Sequence, residues 1–224
     1  MTGVWVPLLL SLKVAGWATL LATISGIAVA YMLSRWQSPL GNITDALLTL
    51  PMVLPPTVIG YYLLVLFGRR GWLGQWLDQM GISLIFTWQG AVIAAWVVAF
   101  PLVLKSARAA FESVDLHLEN AGLLLGLNRT AVFFRISLPL AVRGIMAGVL
   151  LAFARALGEF GATLMVAGSI PGKTQTLSIA IYEAVQAGNE QQALWMVLII
   201  SLSCITILGI AGCLMPAQQR KGLR

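Results

Sequence analysis

Charge is what this chain has least of. Only 10% of its 224 residues are charged, while 59% are hydrophobic, where a soluble domain carries about a quarter charged. A soluble fold of this length could not hide so much apolar surface, and the mean hydropathy of +0.89 identifies a polytopic membrane protein. Histidine occurs once, as His117, so no Cys/His metal spacing exists. The two cysteines, Cys204 and Cys213, share one apolar segment; nine positions along a helix part them by roughly 13 Å, beyond disulfide reach. Also missing are a basic residue ahead of the first apolar run and a small-x-small cleavage pattern after a short core. That run is expected to be a retained helix rather than a signal peptide. The net charge of +6 raises the question of nucleic acid. Most basic residues, however, fall between or after apolar segments, where a membrane protein keeps its cytoplasmic charges, so nucleic acid is excluded as a partner and membrane lipid is not.

Long apolar runs are what the chain does have. A bilayer core needs about 20 apolar residues per helix, and segments near 7–33, 47–67, 84–104, 140–168 and 193–215 supply them. The predicted fold is an all-α polytopic membrane bundle of five transmembrane helices, one transmembrane domain over residues 1–224. An odd number of spans puts the ends on opposite sides. With the polar centre of the chain inside, Arg35, Lys105, Arg108, Arg129, Arg135, Arg143, Arg220, Lys221 and Arg224 are cytoplasmic. Lys13, Arg69, Arg70 and Lys173 then lie outside, and the balance favours an outside N-terminus and a cytoplasmic C-terminus.

The spans differ in character. The first carries Gly16 and Gly26 among Ala and Ser, a composition that lets helices approach closely in lipid. The second has Pro51, Pro55 and Pro56 in its first half, each removing a backbone donor. Two readings stay open: a kink that only sets packing, or a helix restarting at Pro56 that offers the N–H groups of Thr57, Val58 and Ile59 to an oxyanion near the bilayer middle. Residues 68–83 repeat Leu73, Trp76, Leu77 and Met80 at helical spacing, which predicts a short interfacial helix. The fourth span holds Arg155 and Glu159, one turn apart and the only charges deep in an apolar run. They form either a structural ion pair or a pathway or gating pair. Residues 167–174 match a relaxed nucleotide-loop pattern, but no strand precedes them, Pro171 interrupts them and they lie on the outer side; they are a turn. A short amphipathic helix over 175–187 and a polar linker over 188–192 complete the outer connections.

The middle of the chain, about 105–139, is its longest polar interruption. It carries Lys105, Arg108, Glu112, Asp115, His117, Glu119, Arg129 and Arg135, so it lies in water beside the membrane. Apolar positions at helical period run to Leu125. Gly126 then supplies a left-handed stop, and residues 129–136 make a second short helix that ends before Pro139. Such a piece lies on lipid or enters a groove on another protein.

Within it, Asn120-Ala121-Gly122, three residues, Gly126, nine residues and Ile136-Ser137-Leu138-Pro139 resembles the loop of ABC importer permeases that runs Glu-Ala-Ala, three residues, Gly, nine residues, Ile-x-Leu-Pro. Asn120 stands where that pattern has Glu (Glu119 is one place earlier), and Gly122 where it has Ala. Further strings are similar to the molybdate permeases of that class: Leu50-Pro51-x-Val53-Leu54-Pro55-Pro56, Gly68-Arg69-Arg70-Gly71, Ser113-Val114-Asp115-x-x-Leu118-Glu119, and the run from Ala152 to Ala162 that includes Arg155 and Glu159. Sulfate permeases share the general plan.

The resemblance implies a type I ABC importer permease in a bacterial inner membrane. It implies a second copy of the chain, two cytoplasmic ABC ATPase subunits and a periplasmic molybdate-binding protein as partners. No cofactor is implied in this chain, since ATP and Mg²⁺ bind the ATPase, and no covalent chemistry. Glu119, Asn120, Ala121, Gly122, Gly126, Ile136, Leu138 and Pro139 would couple to the ATPase; Pro51, Pro55, Pro56, Thr57, Arg155 and Glu159 would line or gate the pathway. Tungstate or sulfate is the alternative cargo. A stand-alone secondary anion transporter with Arg155 and Glu159 as an ion relay, or a membrane scaffold, is the alternative class.

Overall fold

A computed structural model of the chain describes residues 2–36 and 38–214, and among them every regular element is helical. In chain order these are α1 (Thr2–Arg35), α2 (Pro39–Val53), α3 (Pro56–Phe67), α4 (Trp72–Gln79), α5 (Trp88–Glu112), α6 (Leu116–Leu124) and α7 (Arg129–Val132). A π-helical turn (Phe133–Ser137) leads into α8 (Leu138–Leu157), followed by α9 (Gly161–Ala167), α10 (Leu177–Gln186) and α11 (Glu190–Leu214). Four continuous helical stretches are long and apolar enough to span: Val4–Arg35, Trp88–Glu112, Arg129–Leu157 and Glu190–Ile210; the bent pair α2 and α3 makes a fifth if counted as one span. The predicted inner anchor at Arg220, Lys221 and Arg224 lies outside the described residues.

Small side chains set how the spans meet. Without a hydrophobic force between helices in lipid, close backbone contact supplies the attraction. Ala15, Ala18 and Ala22 of α1, Ala91, Ala95 and Ala99 of α5, and Ala152 and Ala156 of α8 form one buried cluster. Helices α1 and α5 run side by side in the same direction: Lys13 sits 3.6 Å over the Trp88 ring, Gly26 abuts Val103, and Tyr31 meets Phe111 edge-on. Helix α8 returns along α5, where a side chain added at Gly144 would strike Ala110 and one at Gly148 would strike Ser106. Gly26 packs as expected, but Gly16 does not: it is exposed with open space around it, and the alanine face makes the contact instead.

The predicted spans need three corrections. The second is no single helix over 47–67. Helix already begins at Pro39, behind a Ser38 cap, and α2 and α3 meet at 110°. The cause is local, because a residue before proline is driven out of the helical region, and Leu54 and Pro55 are both extended. The simple kink is thereby excluded. The fourth span, expected unbroken over 140–168, stops at Leu157 and resumes at Gly161. Nor does Pro139 end a separate short helix. Residues 129–157 are one helical rod, because the π turn shifts the bonding pattern just ahead of the proline: the Leu138 N–H reaches back to the Phe133 carbonyl.

Helix α4 is the predicted interfacial helix, with Trp72 and Trp76 exposed. The segment after α9 is the predicted turn, with Gly168 and Gly172 at positive φ. The amphipathic helix appears as α10, and its first backbone N–H, from Leu177, donates to Ser11 Oγ of α1 at 2.7 Å.

Candidate functional site

The central elbow is built from its caps inward. Asp115 accepts the His117 N–H at 2.9 Å and starts α6. Its end is closed at Gly126, φ +89°, by paired bonds from Gly126 to the Leu123 carbonyl and from Leu127 to the Gly122 carbonyl. That is the left-handed glycine stop expected from the sequence. Asn128 then caps α7 by accepting the Ala131 N–H at 2.7 Å. Gly122 is buried, and a Cβ there would lie 2.7 Å from Ile136 Cδ1, so α6 and the π turn close on each other at that glycine.

Glu119 holds the elbow to the membrane domain. Only 8% exposed, it pairs with Arg35 at the end of α1 and accepts a hydrogen bond from Ser137 Oγ at 2.7 Å. One carboxylate thus ties α1, α6 and the π turn together. Of the residues expected to couple to the ATPase, Glu119 points inward, and Gly122, Ile136 and Leu138 lie with it on the packed side. Asn120, Ala121, Gly126 and Pro139 are exposed. The most exposed apolar side chains of the elbow are Leu124 at 89% and Leu125 at 85%, the end of the apolar period beside the glycine stop and two of the motif's three unspecified positions. Behind the elbow, Asp45 of α2 pairs with Lys105 and Arg108 of α5, and Arg108 also binds Glu112. The pairings made by Arg35, Ser137 and Asp45 are not legible in the sequence, because their partners lie 84, 18 and at least 60 residues away.

The second group sits where two helices restart. Gly161, first in α9, packs on Pro56 and Thr57 at the start of α3, with an added Cβ 3.3 Å from the Thr57 backbone nitrogen. Gly60 meets Ala162 and Met165 one turn further on. The expectation of three free N–H groups at the start of α3 is not met: those of Val58 and Ile59 both donate to the Pro55 carbonyl. Beside this crossing, Glu159 is 1% exposed. One carboxylate oxygen takes Arg155 Nη1 at 2.6 Å, and the other the Ala162 N–H at 2.9 Å. Arg155 keeps 36% of its side chain open. Pro51 lies inside α2, away from the restart.

The two groups are distinct, and the rod 129–157 joins them. Its 29 residues span roughly 43 Å at 1.5 Å per residue, with the elbow at one end and Arg155 near the other. Apolar spans, one polar elbow and two interrupted helices define an all-α polytopic membrane protein. Solved ABC importers share this fold: the inward-facing MetNI methionine transporter matches with a TM-score of 0.67 at 16% identity, covering 96% of this chain and 95% of that one. A bacterial transporter involved in import of the polysaccharide alginate matches with a TM-score of 0.74 at 14% identity, over 93% and 77%.

Sequence likeness is closer. Residues 8–220 match the family of binding-protein-dependent transport system inner membrane components. The molybdenum transport system permease protein ModB of Escherichia coli (strain K12) is 47% identical over 207 residues, covering 91% of this chain and 90% of that protein. ModB of Haemophilus influenzae is 44% identical over 202 residues, 89% and 88%. The sulfate transport system permease protein CysW of Synechococcus elongatus is 39% identical over 164 residues, 73% and 57%. The chain belongs to the binding-protein-dependent transport system inner membrane components, and within them to the molybdenum transport permeases.

Proposed function

We propose that this chain is the membrane subunit of an ATP-driven importer that carries molybdate into the cytoplasm by alternating access. It works with a second copy of itself, two cytoplasmic ABC ATPases and an outer binding protein that delivers the anion. The N-terminus lies outside and the C-terminus inside. The chain itself holds no nucleotide; ATP and Mg²⁺ act in the ATPase. Supporting the reading are the molybdenum permeases among its relatives and, above all, the elbow. Two nearly naked leucines stand at the end of a short helix that is fastened at its back by Glu119 and packed at Gly122 against the base of a spanning rod. An apolar tip on a rigid support is what a groove on a partner recognises.

In this mechanism the ATPases take hold of Asn120, Ala121 and the Leu124–Gly126 tip. Glu119, Gly122, Ile136, Leu138 and Pro139 keep the elbow's shape, so that its displacement passes to α1 through Arg35 and to α8 through the π turn. At the far end of the rod, α9 moves against α3, and Pro51, Pro55, Pro56, Thr57, Arg155 and Glu159 open or close the way. Nucleotide shifts the two states only by its unequal affinity for them.

The test is reconstitution with the ATPase and binding protein in vesicles. ATP-dependent molybdate uptake is expected, and uptake by the chain alone would point to a secondary transporter. The sulfate relative makes sulfate the second reading of the cargo, with tungstate beside it. Competition of labelled molybdate by sulfate and tungstate, at equal binding-protein occupancy, separates the three.

A further inference from the structure

Resting on the importer reading, the geometry of the broken fourth span goes one step further. Arg155 has an open side and Glu159 has none. A buried ion pair gains little stability over apolar side chains of the same volume, so stability alone gives no reason for charge here. An unpaired guanidinium in a low-dielectric region, on the other hand, attracts a dianion very strongly. A permease with such a group would bind its oxyanion and not let it go.

We propose that Glu159 is a built-in counter-charge that sets how long the oxyanion stays. Arg155 offers its open side to the passing dianion, while the carboxylate behind it cancels most of the attraction. Both carboxylate oxygens are engaged, one by Arg155 and one by the Ala162 N–H, so the carboxylate cannot swing away without breaking the start of α9. The compensation is therefore fixed in place. Glu159 is a positioning residue that acts through Arg155 and does not itself touch the cargo.

Glu159→Gln keeps an oxygen to accept the Ala162 N–H and turns an NH2 toward Arg155 in place of the second oxygen, so it removes the charge and the acceptor that face Arg155 while leaving the start of α9 capped. The intact permease–ATPase complex, purified without binding protein, is assayed for retention of labelled molybdate. Transport turnover is measured in vesicles with saturating binding protein. Glu159→Gln is expected to retain molybdate at about tenfold lower concentration and to turn over about tenfold more slowly, the split expected when a bound state is stabilised over the state that follows it. Adding Arg155→Gln should return both values toward wild type. Unchanged retention, or slow turnover that the second substitution does not relieve, would overturn the proposal and leave Glu159 as a cap for α9. If Glu159→Gln does not assemble, Arg155→Gln alone reads the same charge with opposite sign: weaker retention supports the proposal and unchanged retention sinks it. A wild-type complex that moves no molybdate would instead refute the importer reading. The retention comparison would then be made with sulfate and judged by the same criteria.

Discussion

Glu119 shows how a single side chain can be legible as a type and illegible as a position. The sequence puts a carboxylate next to a recognisable motif, yet its partners Arg35 and Ser137 lie 84 and 18 residues away, and no local pattern announces either. Replacing it by Gln removes a charged acceptor from a buried site that Arg35 and Ser137 still face, at a cost of about 2 kcal/mol. We expect lower thermal stability in detergent and fewer molybdate ions moved per ATP, with binding of the ATPase intact; unchanged stoichiometry would show that the clamp does not transmit force. Gly148 is the opposite case, ordinary in the sequence and decisive in the packing. A Cβ there lies 2.4 Å from Ser106 Cβ, an atom with no freedom to retreat. Gly148→Leu should part α5 from α8 at a cost of about 2 kcal/mol or more, read as early thermal unfolding, while Gly16→Leu, facing open space, should leave the melting temperature unchanged.

Helices were readable wherever apolar period or capping residues carry the signal. The interfacial helix at 72–79, the turn after α9 and the stop at Gly126 all follow from side chains within a few positions of each element. The failures share one cause: hydropathy measures what is buried, not where a helix bends. Pro55 and Pro56 announce a break but not its 110° angle. The interruption at Gly158–Phe160 falls inside a run that stays largely apolar, so hydropathy passes straight across it. Continuity from α7 into α8 depends on a π turn, a change of bonding register with no composition of its own. The Gly126 hinge yields a prediction at this scale. With φ at +89° and nothing within 4 Å of a built Cβ, a larger residue meets strain rather than a clash, about 1–2 kcal/mol. Gly126→Val should therefore let the protein assemble but reshape the tip, leaving ATP hydrolysis running with little uptake. Normal uptake by that variant would remove Gly126 from the coupling role.

In the proposed mechanism the molecule as a whole works as a lever with a membrane-depth arm. The rod 129–157 carries the elbow in one phase and Arg155 near the crossing of α3 and α9. The parallel pairing of α1 with α5 fixes which ends share a side, since Arg35, Lys105, Arg108 and Glu119 gather at one end and Lys13 and Trp88 lie toward the other. That grouping agrees with the charge distribution used to orient the chain. A cysteine introduced by Leu124→Cys should accordingly react with an impermeant thiol reagent only from the cytoplasmic side, and one introduced by Trp72→Cys only from outside. Coupling through the elbow is the central claim, and crosslinking tests it most directly. In the assembled importer, a short bifunctional reagent should join Leu124→Cys to a cysteine in the ATPase groove, and closing that link should stop ATP-driven molybdate uptake until it is cleaved. Failure to crosslink in a complex that still transports, or labelling of the same cysteine from the outer side, would contradict the account.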